Sequence, residues 1–176
     1  RPAIEGPVKG IFILLDGEYY VERMEAPALV AQLQISNVMP PIAVIYVSHV
    51  DGQTRRIESF CNVDFARFVS EQLAPWSKDQ CDQSNVNTRT FLGGLSLTGL
   101  AAAHAALVRP GAFSGVLCQW ASFWWSDSRL IDDVQNGDHR QQQFRITCGL
   151  QETEEYFEHG PDLIQRSSQR AANRAM

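Results

Sequence analysis

Two uninterrupted apolar runs lie near the amino terminus, Gly10 to Leu15 and Ile42 to Val47. The first is closed by Asp16-Gly17 and the second by Ser48-His49-Val50-Asp51-Gly52. Runs without polar alternation suit strands that are buried on both faces of a parallel sheet. Between them, Met24 to Leu33 carries Ala, Leu, Val and Gln at helical spacing, and Pro40-Pro41 forbids its continuation. The predicted unit is strand, helix, strand. Further on, Phe65, Phe68, Val69 and Leu73 form a helical stripe opened by Asn62 as cap and an early Asp64. Lys78 to Asn87 reads as polar loop, Thr88 to Gly93 as a strand, Leu97 to Val108 as a helix and Arg109-Pro110-Gly111 as its stop. Phe113 to Ser122 is apolar enough for a buried strand, and the acidic segment Ser126 to Asp138 holds a short helix. Phe144 to Cys148 makes a fifth strand, and Pro161 to Met176 a solvent-facing helix opened by its proline. Strands alternating with helices in this way predict an α/β fold with a mostly parallel sheet, whose ligands bind at the carboxyl ends of the strands.

Composition narrows the partners. A chain of 176 residues is expected to form one domain with a core of its own, and 44% apolar with 20% charged residues is ordinary for a globular protein. A net charge of -5 argues against a general nucleic-acid or anionic-membrane surface. Apolar stretches fall well short of the roughly 18 residues of a membrane span, and no signal pattern opens the chain. The expectation is a soluble, untargeted protein without membrane or nucleic-acid partners, although Arg1 in first place leaves open what lies upstream. Cys61, Cys81, Cys118 and Cys148 are widely spaced and make no C-x-x-C pair, so no metal or cofactor is expected. They read as free thiols of a reducing compartment, with a periplasmic disulfide as the alternative.

The chemistry gathers at Phe91-Leu92-Gly93-Gly94-Leu95-Ser96-Leu97-Thr98-Gly99-Leu100. An apolar run ends in two glycines, presents one serine and enters an alanine-rich helix, which is the layout of a nucleophile elbow. In G-x-S-x-G the serine occupies a tight strand-to-helix turn, and small residues on both sides let the backbone pass. Here Thr98 stands where the second glycine belongs, with Gly99 one position later. The alternative is that Ser96 only N-caps the helix. In the α/β-hydrolase plan the acid follows the second strand after the nucleophile, and Glu152 falls there, beyond the strand Phe144 to Cys148. Three loops should then converge: Asp16-Gly17-Glu18, the elbow, and Gly149-Leu150-Gln151-Glu152.

An ordered series of short motifs resembles the enterochelin (enterobactin) esterases, in the esterase branch of the α/β-hydrolases. The series is Leu14-Leu15-Asp16-Gly17-Glu18, Arg55-Arg56-Ile57-Glu58, Cys61-Asn62-Val63-Asp64-Phe65, Gly94-Leu95-Ser96, Pro110-Gly111-Ala112-Phe113, Gln119 to Trp125, and Gly149 to Glu152. The likeness runs from about Val8 to Glu152. It implies a three-layer α/β sandwich that hydrolyses the ester bonds of a catecholate siderophore trilactone to release iron. In that reading Ser96 attacks the carbonyl, the backbone N–H groups of Leu97 and the Gly17 region hold the oxyanion, and Glu152 orients a histidine. Arg55 would face the anionic ferric catecholate, or else pair with Glu58 and pin its loop. Trp124 and Trp125 would wall the catechol pocket, or else serve packing.

The family's histidine lies beyond the acid after another strand, usually in a Gly-Gly-His context, and no such context occurs before Met176. His49, His104 and His139 read as structural or surface residues, and His159, seven residues past Glu152, as a weak substitute. The chain 1–176 is therefore expected to be one catalytic domain that lacks the last strand, the histidine segment and the family's amino-terminal domain. Thr98, and Trp120 in place of a small residue, depart from the family near the pocket. A general carboxylesterase or acyltransferase of the same branch, or a non-catalytic relative that binds a catecholate or a protein, remain alternatives.

Overall fold

The computed structural model describes residues 2–3, 7–81, 88–137, 142–154, 157–158, 164–165 and 167–176. Both early apolar runs form strands at their predicted bounds, β1 (Gly10–Leu15) and β2 (Ile42–Val47). They join β3 (Arg89–Leu95), β4 (Gly115–Gln119) and β5 (Phe144–Thr147) in one sheet of order β2-β1-β3-β4-β5, with every neighbouring pair parallel. Chain order reverses beside β1, since β2 lies on one side of it and β3 on the other. A crevice opens at the carboxyl ends of strands at such a switch point, because the connections leave in opposite directions. The loops at that crevice are Asp16-Gly17 after β1 and Ser96-Leu97 after β3.

The sheet is held by α6 (Leu97–Val108), nearly all of whose residues are buried. Its Ala101, Ala102, Ala103, Ala105 and Ala106 are small enough to bring the helix axis close to β3 and β4, and Leu100 fills the contact. A helix apolar all round belongs inside, and this one packs on the sheet while α4 (Val63–Arg67) and α3 (Gly52–Ser59) cover its outer side. Ile11, Ile13 and Leu15 alternate along β1 with no exposure and complete the core.

Several elements differ from the sequence reading, each for a local reason. Before β2 the chain forms α1 (Gly17–Glu22) and α2 (Ala26–Ile35) instead of one helix from Met24, because Pro27 sits in the first turn of α2 and Glu25 turns left-handed before it. The helix expected to end near Leu73 continues as a π-helical turn, Phe68–Leu73, into α5 (Ala74–Cys81). Pro75 has no N–H and its ring would collide with the carbonyl four residues back, so the wider π turn carries the chain past it. The polar segment from Lys78 is thus helical to Cys81. Helix α3 was not foreseen, although Asp51 caps it by accepting from the Thr54 N–H at 2.7 Å. Strand β4 stops at Gln119, where Trp120 turns to φ 47°. Helix α7 (Trp125–Asn136) follows, its start interrupted by Ser126, Asp127 and Ser128, all at positive φ. A short antiparallel pair, β6 (Phe157–Glu158) with β7 (Ile164–Gln165), precedes α8 (Gln169–Ala175), capped by the Ser168 hydroxyl. Helix α8 begins well after Pro161, which lies outside the described residues. Its Ala172 and Asn173 are buried, so it is not a solvent-facing helix as expected.

Candidate active site

Ser96 occupies φ 54°, ψ −119°, a conformation that costs a non-glycine residue about 1–3 kcal/mol. Three backbone bonds hold it there. Its N–H donates to Gln119 O (2.9 Å), and its carbonyl accepts from Ser122 (3.0 Å) and Leu100 (3.2 Å). The turn is tight on both sides. A Cβ on Gly94 would lie 2.3 Å from the Thr98 carbonyl oxygen, and one on Gly99 2.9 Å from Ala121 Cβ. Gly99 therefore meets the close approach for which the elbow pattern reserves its second glycine, and the position of Thr98 is released for a side chain. Ser96 makes no side-chain cap bond to α6. Its Oγ lies 3.4 Å from Ser122 Oγ.

Beneath the elbow lies a buried polar network. Thr98, with no exposure, accepts from the Leu95 N–H (3.0 Å) and donates to Asp16 Oδ2 (2.9 Å), with Leu95 O as a second acceptor at 2.8 Å. Asp16 is left-handed (φ 63°) and spends its carboxylate on tertiary partners, leaving α1 without a side-chain cap. Arg55 grips it through Nε to Oδ1 and Nη2 to Oδ2, both at 2.6 Å. This charge-assisted fork raises the guanidinium pKa further, against the opposing effect of burial. His49 fills the remaining side, with Nε2 3.5 Å from Asp16 Oδ1 and Nδ1 donating to Glu58 Oε2 at 2.7 Å. Glu58 thus pairs with His49, and Arg55 pairs with Asp16 instead. Next to Asp16, Gly17 has no room for a side chain: a Cβ would sit 2.7 Å from Tyr46 C and Val47 N.

A cleft of about 360 Å³ opens beside Ser96, with Ser122, Trp124, Gln151, Glu152 and Gln169 among its walls. Glu152 folds back over Gly149, whose missing side chain makes the room, its carboxyl carbon lying 3.2 Å from where a Cβ would stand. Its Oε2 is buried and has no hydrogen-bond partner among the described residues. On the other side of Ser96, Arg55, Arg56 and Leu97 bound a second hollow of about 300 Å³, with Ser122 and Trp124 common to both. Trp124 is buried and walls both hollows, whereas Trp125 stacks on Phe60 at 5.3 Å. Helix α8 ties the two sides together. Gln169 donates to Trp120 O and accepts from the Trp124 indole, Asn173 accepts from the Ala121 N–H at 3.1 Å, and the Arg170 N–H donates to Glu152 O at 3.2 Å.

All six residues singled out from the sequence can now be placed. Ser96, Glu152 and Trp124 share the cleft; Leu97 and Arg55 border the second hollow; Gly17 lies at the carboxyl end of β1, next to Asp16. His49 Nδ1 is bonded to Glu58, and its buried Nε2 lies against Asp16 Oδ1 without a hydrogen bond among the described residues. His104 lies in α6, where burial lowers its pKa. His139 and His159 lie outside the described residues. Sequence reasoning missed Asp16 as an anchor, Thr98 as its partner, Ser122 beside the nucleophile position, and α8 as a clamp. Asp16 and Ser122 stand inside the quoted motifs, and Thr98 is visible in the sequence only as a departure from G-x-S-x-G. Nothing in the sequence tied Gln169 or Asn173 to the loop after β4.

A parallel α/β sheet with a serine held at positive φ between strand and helix, and a carboxylate lining the same cleft, has the layout that places nucleophile and acid in the α/β-hydrolase fold class. The family model "Esterase: Putative esterase" matches residues 7–175, and the chain belongs to that family. It is 32% identical over 126 residues to the iron(III) enterobactin esterase of Dickeya dadantii, an alignment that takes in 72% of this chain and 29% of that protein. The crystal structure of ferric enterobactin esterase from Salmonella typhimurium superposes with a TM-score of 0.69 at 32% identity, over 80% of this chain and 38% of that one. The enterobactin esterase of Shigella flexneri, solved in the presence of enterobactin, gives 0.70 at 27% identity, over 81% and 38%. The chain spans about a third of the length of the curated relatives it matches. Among the described residues no helix is long and apolar enough to cross a membrane.

Proposed function

We propose that this chain is the catalytic portion of a cytoplasmic serine esterase that cleaves the ester bonds of a catecholate siderophore trilactone and so frees its iron. The observation that carries the reading is the strained Ser96 facing a cleft in which Glu152 holds a buried carboxylate oxygen with no partner among the described residues. A buried oxygen of this kind calls for a donor. In a serine hydrolase the donor is the Nδ1–H of the histidine whose Nε2 takes the nucleophile's proton. Relatives named for enterobactin supply the substrate class.

In the reaction, Ser96 Oγ attacks the ester carbonyl while a histidine accepts its proton, and the N–H groups of Leu97 and Gly17 bind the oxyanion. One such donor is worth about 2.7–4 kcal/mol in the transition state. The histidine then returns the proton to the leaving hydroxyl, and water hydrolyses the acyl-serine by the same route. Neither His49 nor His104 fits the base, which leaves His159, His139 in its polar segment, or a histidine outside this sequence. Arg55 and Arg56 border the hollow opposite Glu152, where Arg55, its Nε and Nη2 held by Asp16, would meet the anionic side of the substrate through its remaining N–H groups. Four free thiols are consistent with a reducing compartment.

The test is fluorophosphonate labelling of the full-length protein, read by peptide mass spectrometry, together with hydrolysis of the iron-loaded and iron-free trilactone. Modification at Ser96, lost in Ser96→Ala, and cleavage of the trilactone are expected. A folded protein that is neither labelled nor active on any ester refutes the esterase reading. Turnover of small synthetic esters alone refutes the siderophore substrate.

A further inference from the structure

We infer that Thr98 is a positioning residue that sets the gap between the two oxyanion donors, by tying the elbow to the loop after β1. The inference rests on the esterase reading for the donors' role. Thr98 directly follows Leu97, and Asp16 directly precedes Gly17. The 2.9 Å hydrogen bond from Thr98 Oγ1 to Asp16 Oδ2 therefore joins the immediate neighbours of the two N–H groups assigned to the oxyanion. Each end of this link is fixed in turn. The Thr98 hydroxyl also accepts from the Leu95 N–H at 3.0 Å and has Leu95 O as a second acceptor at 2.8 Å beside the charged Asp16 carboxylate, which closes the turn around Ser96. Asp16 O accepts from the Tyr19 and Tyr20 N–H groups at 2.9 and 3.2 Å, so the first turn of α1 moves with it.

Arg55 holds the same carboxylate, but the two anchors are unequal. The Arg55 side chain is 25% exposed and stands on a short helix, whereas Thr98 is fully buried in the first turn of α6, packed on β3 and β4. Arg55 neutralises Asp16, and Thr98 locates it. The arrangement also gives a use to the departure from G-x-S-x-G. Gly99 carries the close approach to Ala121, and the position released by it holds a hydroxyl that a glycine could not supply.

The experiment compares Thr98→Val, which keeps shape and loses the hydroxyl, with Thr98→Ser, which keeps the hydroxyl, in the full-length protein. Oxyanion donors act chiefly in the transition state, so Thr98→Val is expected to lower kcat roughly ten- to hundred-fold with KM within about two-fold, and Thr98→Ser to restore most of it. Hydrogen exchange supplies a readout that needs no turnover. The Tyr19 and Tyr20 amides should exchange at least about ten-fold faster in Thr98→Val than in wild type or Thr98→Ser, as expected when a tertiary anchor of a short helix is removed. Equal exchange and equal kcat in wild type and Thr98→Val overturn the inference. So does a Thr98→Ser protein as impaired as Thr98→Val, because packing of the methyl group would then be the cause. A wild-type protein without serine-dependent turnover refutes the esterase reading and the catalytic role of the link together, and the exchange rates still decide whether Thr98 holds the loop.

Discussion

Replacing Gly94 with alanine tests whether the elbow has any slack. The new Cβ would lie 2.3 Å from Thr98 O, 2.4 Å from Thr98 C and 2.9 Å from Gly99 N, all backbone atoms. Comfortable contact begins near 3.5 Å, so the strand and the first turn of α6 must part by roughly 1 Å. Strand β3 cannot retreat, since Gly93 is registered with Leu14 of β1 and Gly94 with Cys118 of β4. The displacement therefore falls on α6, with Ser96 at its head. Overpacking typically costs about 1–3 kcal/mol, and with immovable obstacles about 3 kcal/mol or more is expected, or a fall in Tm of roughly 6–12 °C. Gly93→Ala is the matched control. Its Cβ would meet Leu14 Cδ2 at 2.9 Å and Phe12 Cε2 at 3.0 Å, the ends of side chains that can turn aside, and about 1 kcal/mol is expected. At Gly115 the nearest atom is 3.4 Å away, and Gly115→Ala should be neutral or stabilising by up to about 0.5 kcal/mol. Urea denaturation followed by tryptophan fluorescence and far-UV circular dichroism gives all three values. A Gly94→Ala protein within about 0.5 kcal/mol of Gly93→Ala would refute the reasoning, as the source of the obstacle would then not matter.

Three further outcomes are expected. Ser96→Gly, which relieves the left-handed strain, should be more stable than Ser96→Ala by about 1 kcal/mol in the same denaturation assay, and both should resist the fluorophosphonate; equal stabilities would mean that the turn stores no strain. Burial lowers the folded-state pKa of His104 below 6.5, so between that pKa and 6.5 the unfolded chain binds more protons than the native one. Stability should accordingly fall as pH drops below 6.5, by at most about 1.4 kcal/mol per pH unit, and the fall should be shallower in His104→Gln; superimposable pH profiles would count against this. Burial also raises the thiols of Cys61 and Cys118 to about 12, so neither should react with an aromatic disulfide reagent at pH 8 until the protein is unfolded; rapid native-state labelling of Cys118 would contradict its burial.

Some of this structure is written in short stretches of sequence, and some is not. Strands β1 and β2 were legible to the residue, because an apolar run buried on both faces has no periodicity to misread and its ends are marked by turn residues. Helix α6 was equally plain, since alanines between an elbow and Arg109-Pro110-Gly111 admit little else. The local pattern also drew attention to Ser96, and counting strands led to Glu152. Local pattern failed where distant partners override local preference. Asp16 reads as an ordinary turn residue, and only the placing of β1 between β2 and β3 brings His49 and Arg55 from one side and Thr98 from the other around it. Thr98 reads as a departure from the motif whose crowding Gly99 partly absorbs, and packing does put Gly99 in the close contact; only the tertiary structure sets the threonine hydroxyl on a carboxylate 82 residues away. The Arg and Gln residues of α8 point to a solvent-facing helix, yet Gln169 and Asn173 are used to satisfy the backbone around Trp120 and Ala121. Side-chain type and spacing determine elements whose stabilising contacts are close in sequence. The cost of leaving buried polar groups unpaired is settled only when remote segments meet, and the tertiary structure decides those pairings.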